Sequence, residues 1–226
     1  MRRYGFALVL GLAGVAVLLA LGLWQLRRQV WKDGVIAAIE ARIGAAPGAL
    51  GDPGALDPVR DLYRAVIVEG RSTGEERLVL SGQKGIGPGY EVIAAFETRD
   101  GARILVDRGF VAEADRHAPR PPVALSIAGN LHWPDEADRF TPPPDAASGL
   151  FFARDVGGLA ASLGTLPVLV VARAVAGDAQ GVVPVPVDTA AIPDDHLQYA
   201  LTWFSLAVVW AGMTGLLLWR IRQRRD

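Results

Sequence analysis

Two stretches without a charged residue decide the fold class: YGFALVLGLAGVAVLLALGLWQL at residues 4–26 and LQYALTWFSLAVVWAGMTGLLLW at residues 197–219. Each is 23 residues long, and about 20 apolar residues in a helix suffice to cross a bilayer. They predict two transmembrane helices, 4–26 and 197–219, flanking a domain at 27–195, with a basic tail at 220–226.

The first stretch has a second interpretation, a cleaved signal peptide, because Ala20-Leu21-Gly22 offers a small-x-small cleavage site. Signal peptides have apolar cores of about 7–15 residues, which is shorter than this one. Bulky Leu23 and Trp24 follow the candidate site. The pattern favours an uncleaved anchor.

Charge is distributed unevenly along the 226 residues, although the net charge is only −1. Residues 27–196 carry 17 Lys and Arg against 23 Asp and Glu, whereas the two ends together carry a net +5. Arg27, Arg28 and Lys32 after the first span oppose the positive-inside rule, but the second span is followed by four Arg within six residues. We predict that both termini face the cytoplasm and that the central domain lies outside.

Composition excludes several classes of protein. Cysteine is absent, so disulfides, thiolate-bound zinc, iron–sulfur clusters and covalently attached haem are ruled out. Three His and two Met are few for a copper carrier. The 26 Gly and 15 Pro predict many turns.

Between the spans, alternating apolar runs predict a mostly antiparallel β domain with a helix or two, an α+β fold. Asp100-Gly101 predicts a hairpin with a tight primed turn. The first helix is expected to continue through residue 46. The predicted strands are 63–69, 76–80, 90–97, 103–107, 123–131 and 166–174, and one short helix is predicted at 155–163, ended by Gly164.

A search for enzyme motifs gives little. Gly85-Ile-Gly87-Pro-Gly89 lacks the Lys-Ser/Thr of a phosphate-binding loop. Asp107 and Arg108 suggest an ion pair or a cap, and the acidic residues 135–138 are typical of a solvated loop. The chain is predicted not to be an enzyme and not to bind nucleic acid.

The most informative residue is His196, at the outer end of the second span. In a helix it shares a face with Tyr199, Trp203, Ala207 and Trp210. An imidazole above an aromatic groove could bind the iron and the ring of a haem. Alternatively, it is an interfacial histidine within an aromatic belt, where Tyr and Trp are common.

The two spans are predicted to pair through small residues, which let helix backbones approach closely. Trp24, at the outer end of the first span, would then lie beside His196. Asp194 or Asp195 could accept a hydrogen bond from the second ring nitrogen of His196. The small residues at spacings of four are Ala7 and Gly11 in the first span and Ala207, Ala211 and Gly215 in the second.

Several motifs, in this order between two terminal spans, resemble those of one family. They are Gly22-Leu-Trp24-Gln25-Leu-Arg27-Arg28 with Trp31-Lys32, Gly87-Pro-Gly89-Tyr90, Leu105-Val-Asp-Arg108-Gly109-Phe110-Val111, Phe152-Ala-Arg154-Asp155-Val, and His196-Leu-Gln-Tyr199-Ala200-Leu-Thr202-Trp203-Phe204. Over nearly its whole length the chain resembles the surfeit locus protein family of cytochrome c oxidase assembly factors. It departs from the family pattern at Asp195, where Asn is expected, and at Phe110, where Trp is commoner.

The resemblance implies a membrane protein that binds haem a non-covalently and helps it reach oxidase subunit one. His196 would be the ligand of the haem iron, and Tyr199, Trp203 and Trp24 would line the cofactor site. The implied partners are subunit one and membrane lipid, with haem a synthase as a further candidate. The Arg-Arg start without a Ser-rich transit peptide predicts the bacterial inner membrane. The rival hypothesis is a two-span sensor or scaffold whose outer domain binds a ligand or protein and no haem.

Overall fold

The computed structural model describes residues 2–83, 85–145, 147–190 and 192–223. They form two compact units, one of residues Ile39–Asp188 and the other of the residues up to Ala38 together with those from Thr189 onward. The elements are α1 Arg2–Ile43, β1 Gly48–Ala49, β2 Ala65–Gln83, β3 Gly87–Thr98, β4 Arg103–Ala112, β5 Val123–Leu131, α2 Val156–Leu163, β6 Leu169–Ala176 and α3 His196–Gln223.

The sheet of the central unit closes on itself. Its strands lie in the order β1-β2-β3-β4-β6-β5, and β2 also pairs with β5. The first half of β2 pairs with β5 and its second half with β3, so β2 serves as both ends of the sheet. The described residues therefore form a five-stranded barrel, with β1 added along β2.

The prediction of a mostly antiparallel domain is confirmed, with one qualification from the topology. The pairings of β2 with β3 and β5, of β3 with β4, and of β5 with β6 are antiparallel. β6, however, runs parallel to β4, and β1 runs parallel to β2. The sheet is mixed because β6 returns after the α2 connection and inserts between β4 and β5.

Within each strand, successive side chains point alternately to the two faces of the barrel wall, as the two-residue period of a strand requires. Phe96, Ile104 and Val170 belong to the buried interior cluster. Leu105 and Leu169, one residue along, point the other way into a second cluster. Helix α2 covers that outer face with Val156, Leu159, Ala160 and Leu163.

The predicted short helix is confirmed, one residue shorter than predicted, and it ends at Gly164 as expected. The Asp155 side chain accepts a hydrogen bond from the Gly157 N–H, and Gly164 ends the helix in the left-handed conformation. These are the cap residues that satisfy the free amides and carbonyls of helix ends.

The β3–β4 hairpin is confirmed, but the expected primed turn is wrong. The Gly101 N–H donates to the Thr98 carbonyl at 2.9 Å, and the Thr98 N–H donates to the Ala102 carbonyl at 2.8 Å. Gly101 has φ +83°, whereas Asp100 is not among the residues with positive φ. A primed turn of type I′ needs two such residues, so this is an ordinary turn followed by one left-handed glycine.

Two predicted strands, 63–69 and 76–80, are one continuous strand, β2. A register shift between Ser72 and Glu76 interrupts its pairing with β3, and Gly74 there has φ +83°. Such a bulge adds residues to one strand and breaks the alternation. The break in the sequence pattern therefore marks a bend in a strand, not its end.

In the other unit, α1 and α3 are both long and apolar enough to cross a membrane. α1 continues well beyond residue 26, as predicted, and ends at Ile43. The bounds of the membrane-embedded parts, 4–26 and 197–219, stay predictions.

α1 and α3 pack through glycines of α1. A Cβ on Gly22 would lie 2.4 Å from Phe204, and one on Gly14 would lie 2.2 Å from the Trp210 ring. The Trp210 indole N–H also donates to a carbonyl of α1, that of Gly11, at 3.2 Å. Bulky side chains of α3 thus fill the space that these glycines leave.

The predicted small-residue contacts hold for Ala7, Gly11 and Ala207, which are buried. They are wrong for Ala211 and Gly215, which are exposed. At 3.6 residues per turn a spacing of four advances by about 40° each time, so a row of such residues drifts off the contact face.

Candidate functional site

His196 is the first residue of α3, and its imidazole contacts α1. The ring Nδ1 lies 2.8 Å from Oε1 of Gln25. Gln25 is only 9% exposed and lies among the apolar residues of α1. A buried polar side chain in such a helix needs a partner, and Nδ1 of His196 provides one for Oε1 of Gln25.

This contact bears on which ring nitrogen is free. The Gln25 atom that faces the ring is the amide oxygen, which can only accept, so the contact favours the tautomer of a neutral imidazole with its hydrogen on Nδ1. Nε2 then keeps its lone pair. Metal-binding histidines typically donate one ring N–H to an oxygen acceptor while the other nitrogen binds the metal. In that tautomer Nε2 of His196 is available to bind a metal.

Two further polar contacts join α1 to the segment before α3. The Gln29 amide donates to Oδ2 of Asp194 at 2.6 Å and to Oδ1 of Asp33 at 2.8 Å. The Lys32 ammonium donates to the Pro193 carbonyl. The hypothesis that Asp194 or Asp195 accepts a hydrogen bond from the His196 ring is therefore wrong. Nδ1 of His196 contacts Gln25, and the Asp194 carboxylate accepts a hydrogen bond from Gln29.

The aromatic residues predicted around His196 have different environments. Trp203 is half-buried, on the side of α3 that carries buried Ala200 and Ala207. Tyr199 and Trp24 are each 55% exposed. The helix face that His196 was predicted to share is therefore partly buried, at Trp203, and partly exposed, at Tyr199. The roles of Tyr199, Trp203 and Trp24 in binding a cofactor stay predictions.

These residues fit a haem. Among the described residues, no three His, Asp or Glu side chains converge on one metal position. A porphyrin brings its own four nitrogens and needs only an axial donor from the protein, which the free Nε2 of His196 can supply. Exposed faces of Tyr199 and Trp24 offer flat apolar surface on the same two helices.

The two other histidines lie in the barrel unit and have different surroundings. His117 is exposed. The ring of His132 stacks on Tyr63, with 5.5 Å between ring centroids. Burial, assisted by the charge of Arg154, lowers the pKa of His132 to about 4. His132 is thus a neutral residue of the barrel wall.

A buried ionic cluster forms a second concentration of charge, within the barrel unit. The Arg154 guanidinium lies 3.3 Å from Oδ2 of Asp107 and 3.4 Å from Oε2 of Glu91. Its Nε donates to Oε1 of Glu136 at 3.0 Å. Three carboxylates therefore surround one guanidinium.

Burial governs the protonation of this cluster. It raises the pKa of Asp107 to about 7, with a further contribution from the charge of Glu91 and an opposing one from Arg154. The pKa of Glu91 is raised mainly by burial as well. The pKa of Glu136 is lowered, because hydrogen bonds from Arg154 outweigh its burial. One guanidinium cannot offset three negative charges, two of which, Asp107 and Glu91, are largely shielded from water, so the cluster takes up a proton near neutrality.

The structure decides between the two alternatives for Asp107 and Arg108. They do not pair with each other, whereas the cap is found: Asp107 accepts a hydrogen bond from the Gly109 N–H at 3.0 Å. Arg108 donates to Gln180 and to the Ala179 carbonyl. Residues 135–138 are exposed, as expected for a solvated acidic loop, and Arg154 additionally bonds Glu136. Both Asp107 and Arg154 come from the quoted motifs, yet nothing in the spacing indicated that they meet.

The fold and the site define a class of protein: a β-barrel flanked in sequence by two membrane-length helices, with a histidine at the start of the second. The chain belongs to the SURF1 family, whose sequence model matches residues 12–208. The family resemblance noted from the motifs is thereby confirmed.

Individual relatives agree with this assignment. A SURF1-like protein of Drosophila melanogaster is 26% identical over 218 residues, covering 85% of this chain and 71% of its own. Surfeit locus protein 1 of Homo sapiens is 27% identical over 212 residues, covering 83% and 69%. The cytochrome oxidase assembly protein SHY1 of Saccharomyces cerevisiae is 33% identical over 117 residues, covering 50% and 30%.

Proposed function

We propose that this protein is a cytochrome c oxidase assembly factor that binds haem a and helps insert it into oxidase subunit one. Family membership supports the assembly role, since one relative bears the name of an oxidase assembly protein. The single observation that carries the haem proposal is the His196 imidazole, with Nδ1 bonded to Gln25 and Nε2 free.

In this proposal haem a is cargo, not a resident cofactor. His196 Nε2 holds the iron, and Tyr199, Trp203 and Trp24 contact the macrocycle or its apolar tail. The protein catalyses no reaction: it binds the haem, shields it from water and releases it to the acceptor. Haem a synthase is the proposed donor, and subunit one the proposed acceptor.

The proposed location is the bacterial inner membrane, with the barrel in the periplasm and both termini in the cytoplasm. Two membrane-length helices and the Arg residues after the second span support this arrangement. A reporter inserted at residue 100 should be active only if it functions in the periplasm. Activity of a cytoplasm-only reporter at that position would overturn the topology.

Substitution of the proposed ligand tests the haem assignment. We expect His196→Ala to lose most of its haem after co-expression with haem a biosynthesis, while still inserting in the membrane. Trp203→Ala should weaken retention less, because it removes apolar contact and no iron ligand. The matched control is His117→Ala, which removes an exposed imidazole from the barrel.

The readout is the absorption spectrum of the detergent-purified protein. Full haem occupancy with an unshifted spectrum in His196→Ala would make His196 an ordinary interfacial histidine. The rival hypothesis of a sensor or scaffold without haem would then be favoured.

A further inference from the structure

Gln25 is the one polar side chain of α1 within 4–26 that the structure describes as buried. It lies in the predicted first span, where an amide is costly unless it is hydrogen-bonded. Leucine would fill the same volume without that cost. The polar side chain at this position therefore calls for an explanation, and its contact is the Nδ1 of His196 at 2.8 Å.

We propose that Gln25 is the positioning residue that fixes the tautomer and orientation of His196, so that Nε2 faces the haem iron. This inference rests on the proposed haem function. The Gln25 oxygen holds the hydrogen on Nδ1 and restricts rotation of the ring. Without that acceptor the imidazole can place its hydrogen on either nitrogen, and the tautomer with hydrogen on Nε2 cannot bind iron through Nε2.

The chemistry of the acceptor also suits a transfer protein. A carboxylate that accepts a hydrogen bond from the ring nitrogen not bound to the metal makes the imidazole more basic and strengthens its bond to the metal. An amide carries no charge, so it orients the ring with a smaller increase in basicity. The pair Gln25–His196 therefore gives a ligand that is well oriented but not maximally strong, as release of the cargo requires.

The alternative is that Gln25 merely fastens α1 to α3. Gln29 provides the matched comparison, because it is also a glutamine of α1 with a side-chain contact to the chain around the start of α3, yet it bonds Asp194 and Asp33 rather than the ring. If helix fastening were the whole role, replacing either glutamine would have similar effects on the histidine.

The first experiment needs no haem. Full-length protein labelled with ¹⁵N-histidine is purified in detergent, and the imidazole nitrogen shifts are recorded at about pH 8, where an ordinary imidazole is neutral. His196 is assigned by its loss in His196→Ala. We expect hydrogen on Nδ1 in the wild type, in Gln25→Glu and in Gln29→Leu, and a shift towards the other tautomer in Gln25→Leu.

The second experiment uses haem-loaded protein. Gln25→Leu should lower haem affinity by about 10–100-fold, the usual effect of removing a partner of a metal ligand. Gln25→Glu should retain haem and shift its midpoint potential downward, because the acceptor becomes more negative. Gln29→Leu should leave both properties close to those of the wild type.

Several outcomes would overturn this role for Gln25. They are an unchanged tautomer in Gln25→Leu, an equal loss of haem in Gln29→Leu, or failure of Gln25→Glu to retain haem although it is folded. The proposed function fails separately, through full haem binding by His196→Ala. Loss of haem in His196→Ala with none in Gln25→Leu would leave the haem function standing and exclude Gln25 as its positioning residue.

Discussion

Replacing Arg154 with methionine tests the buried ionic cluster of the barrel most directly. The substitution keeps an unbranched side chain but leaves Asp107, Glu91 and Glu136 without their cation. Removing one partner of a buried ion pair costs about 3–5 kcal/mol. For a unit of this size each kcal/mol lowers the melting temperature by about 2–4 °C, so we expect a fall of roughly 10 °C near pH 8.

The loss should be smaller at about pH 5. Burial raises the pKa of Asp107 to about 7, so this carboxyl is largely neutral in the folded protein at that pH, and the pKa of Glu91 is raised as well. Protonation of Asp107 relieves part of the repulsion that Arg154→Met exposes. The matched control is Arg99→Met, because Arg99 pairs with Glu69 at the surface with its side chain 76% exposed. Exposed pairs contribute about 0–1 kcal/mol.

Thermal unfolding of the detergent-solubilised full chain gives the melting temperatures. Hydrogen exchange of residues 103–112, which form β4, reports the barrel separately from the two apolar helices. Equal shifts for Arg154→Met and Arg99→Met, or a loss that does not depend on pH, would refute the argument that burial makes this cluster matter.

Three further predictions concern stability, all measured by thermal unfolding of the full chain. The first is Asp107→Asn. Because the pKa of Asp107 is raised from 3.8 to about 7 in the folded protein, the wild type loses stability as the pH rises from about 4 to 7, whereas asparagine does not titrate. The free energy of unfolding of the variant minus that of the wild type should therefore rise over this range, and a difference that does not change with pH would contradict it. Gly101→Val should destabilise the barrel by about 1–3 kcal/mol, since Gly101 has φ +83°; unchanged stability would argue against a strained turn. Gly22→Ala should lower the free energy of unfolding by about 1–3 kcal/mol, because it forces a methyl group against Phe204. The control Gly34→Ala, which has open space around it, should be neutral or stabilising. Similar effects of the two substitutions would exclude close packing at Gly22.

Features set by neighbouring residues were predictable from the sequence. The apolar runs indicated α1 and α3, and Gly164 marked the C-terminal end of α2, which begins one residue later than predicted, after its cap Asp155. The Asp100-Gly101 pair located a hairpin but not its turn type. Turns with one residue of positive φ and turns with two such residues both favour Asp and Gly.

Contacts between distant residues were not predictable in this way. Gln25 and His196 are 171 positions apart, and no local pattern couples an amide in one span to an imidazole before another. Arg154 meets Asp107 and Glu91 only because β3, β4 and the segment before α2 come together in three dimensions. In a single sequence such charges look like separate surface residues.

The place of β6 in the barrel has a consequence for synthesis of the chain. β6, at Leu169–Ala176, is the last strand to leave the ribosome, yet it lies between β4 and β5. Until it is made, both of those strands present unpaired backbone groups that can pair with another chain. The ring closes only when β6 is inserted, so a nascent chain that stalls before residue 169 carries two open edges and is prone to aggregate, even though every earlier strand is complete.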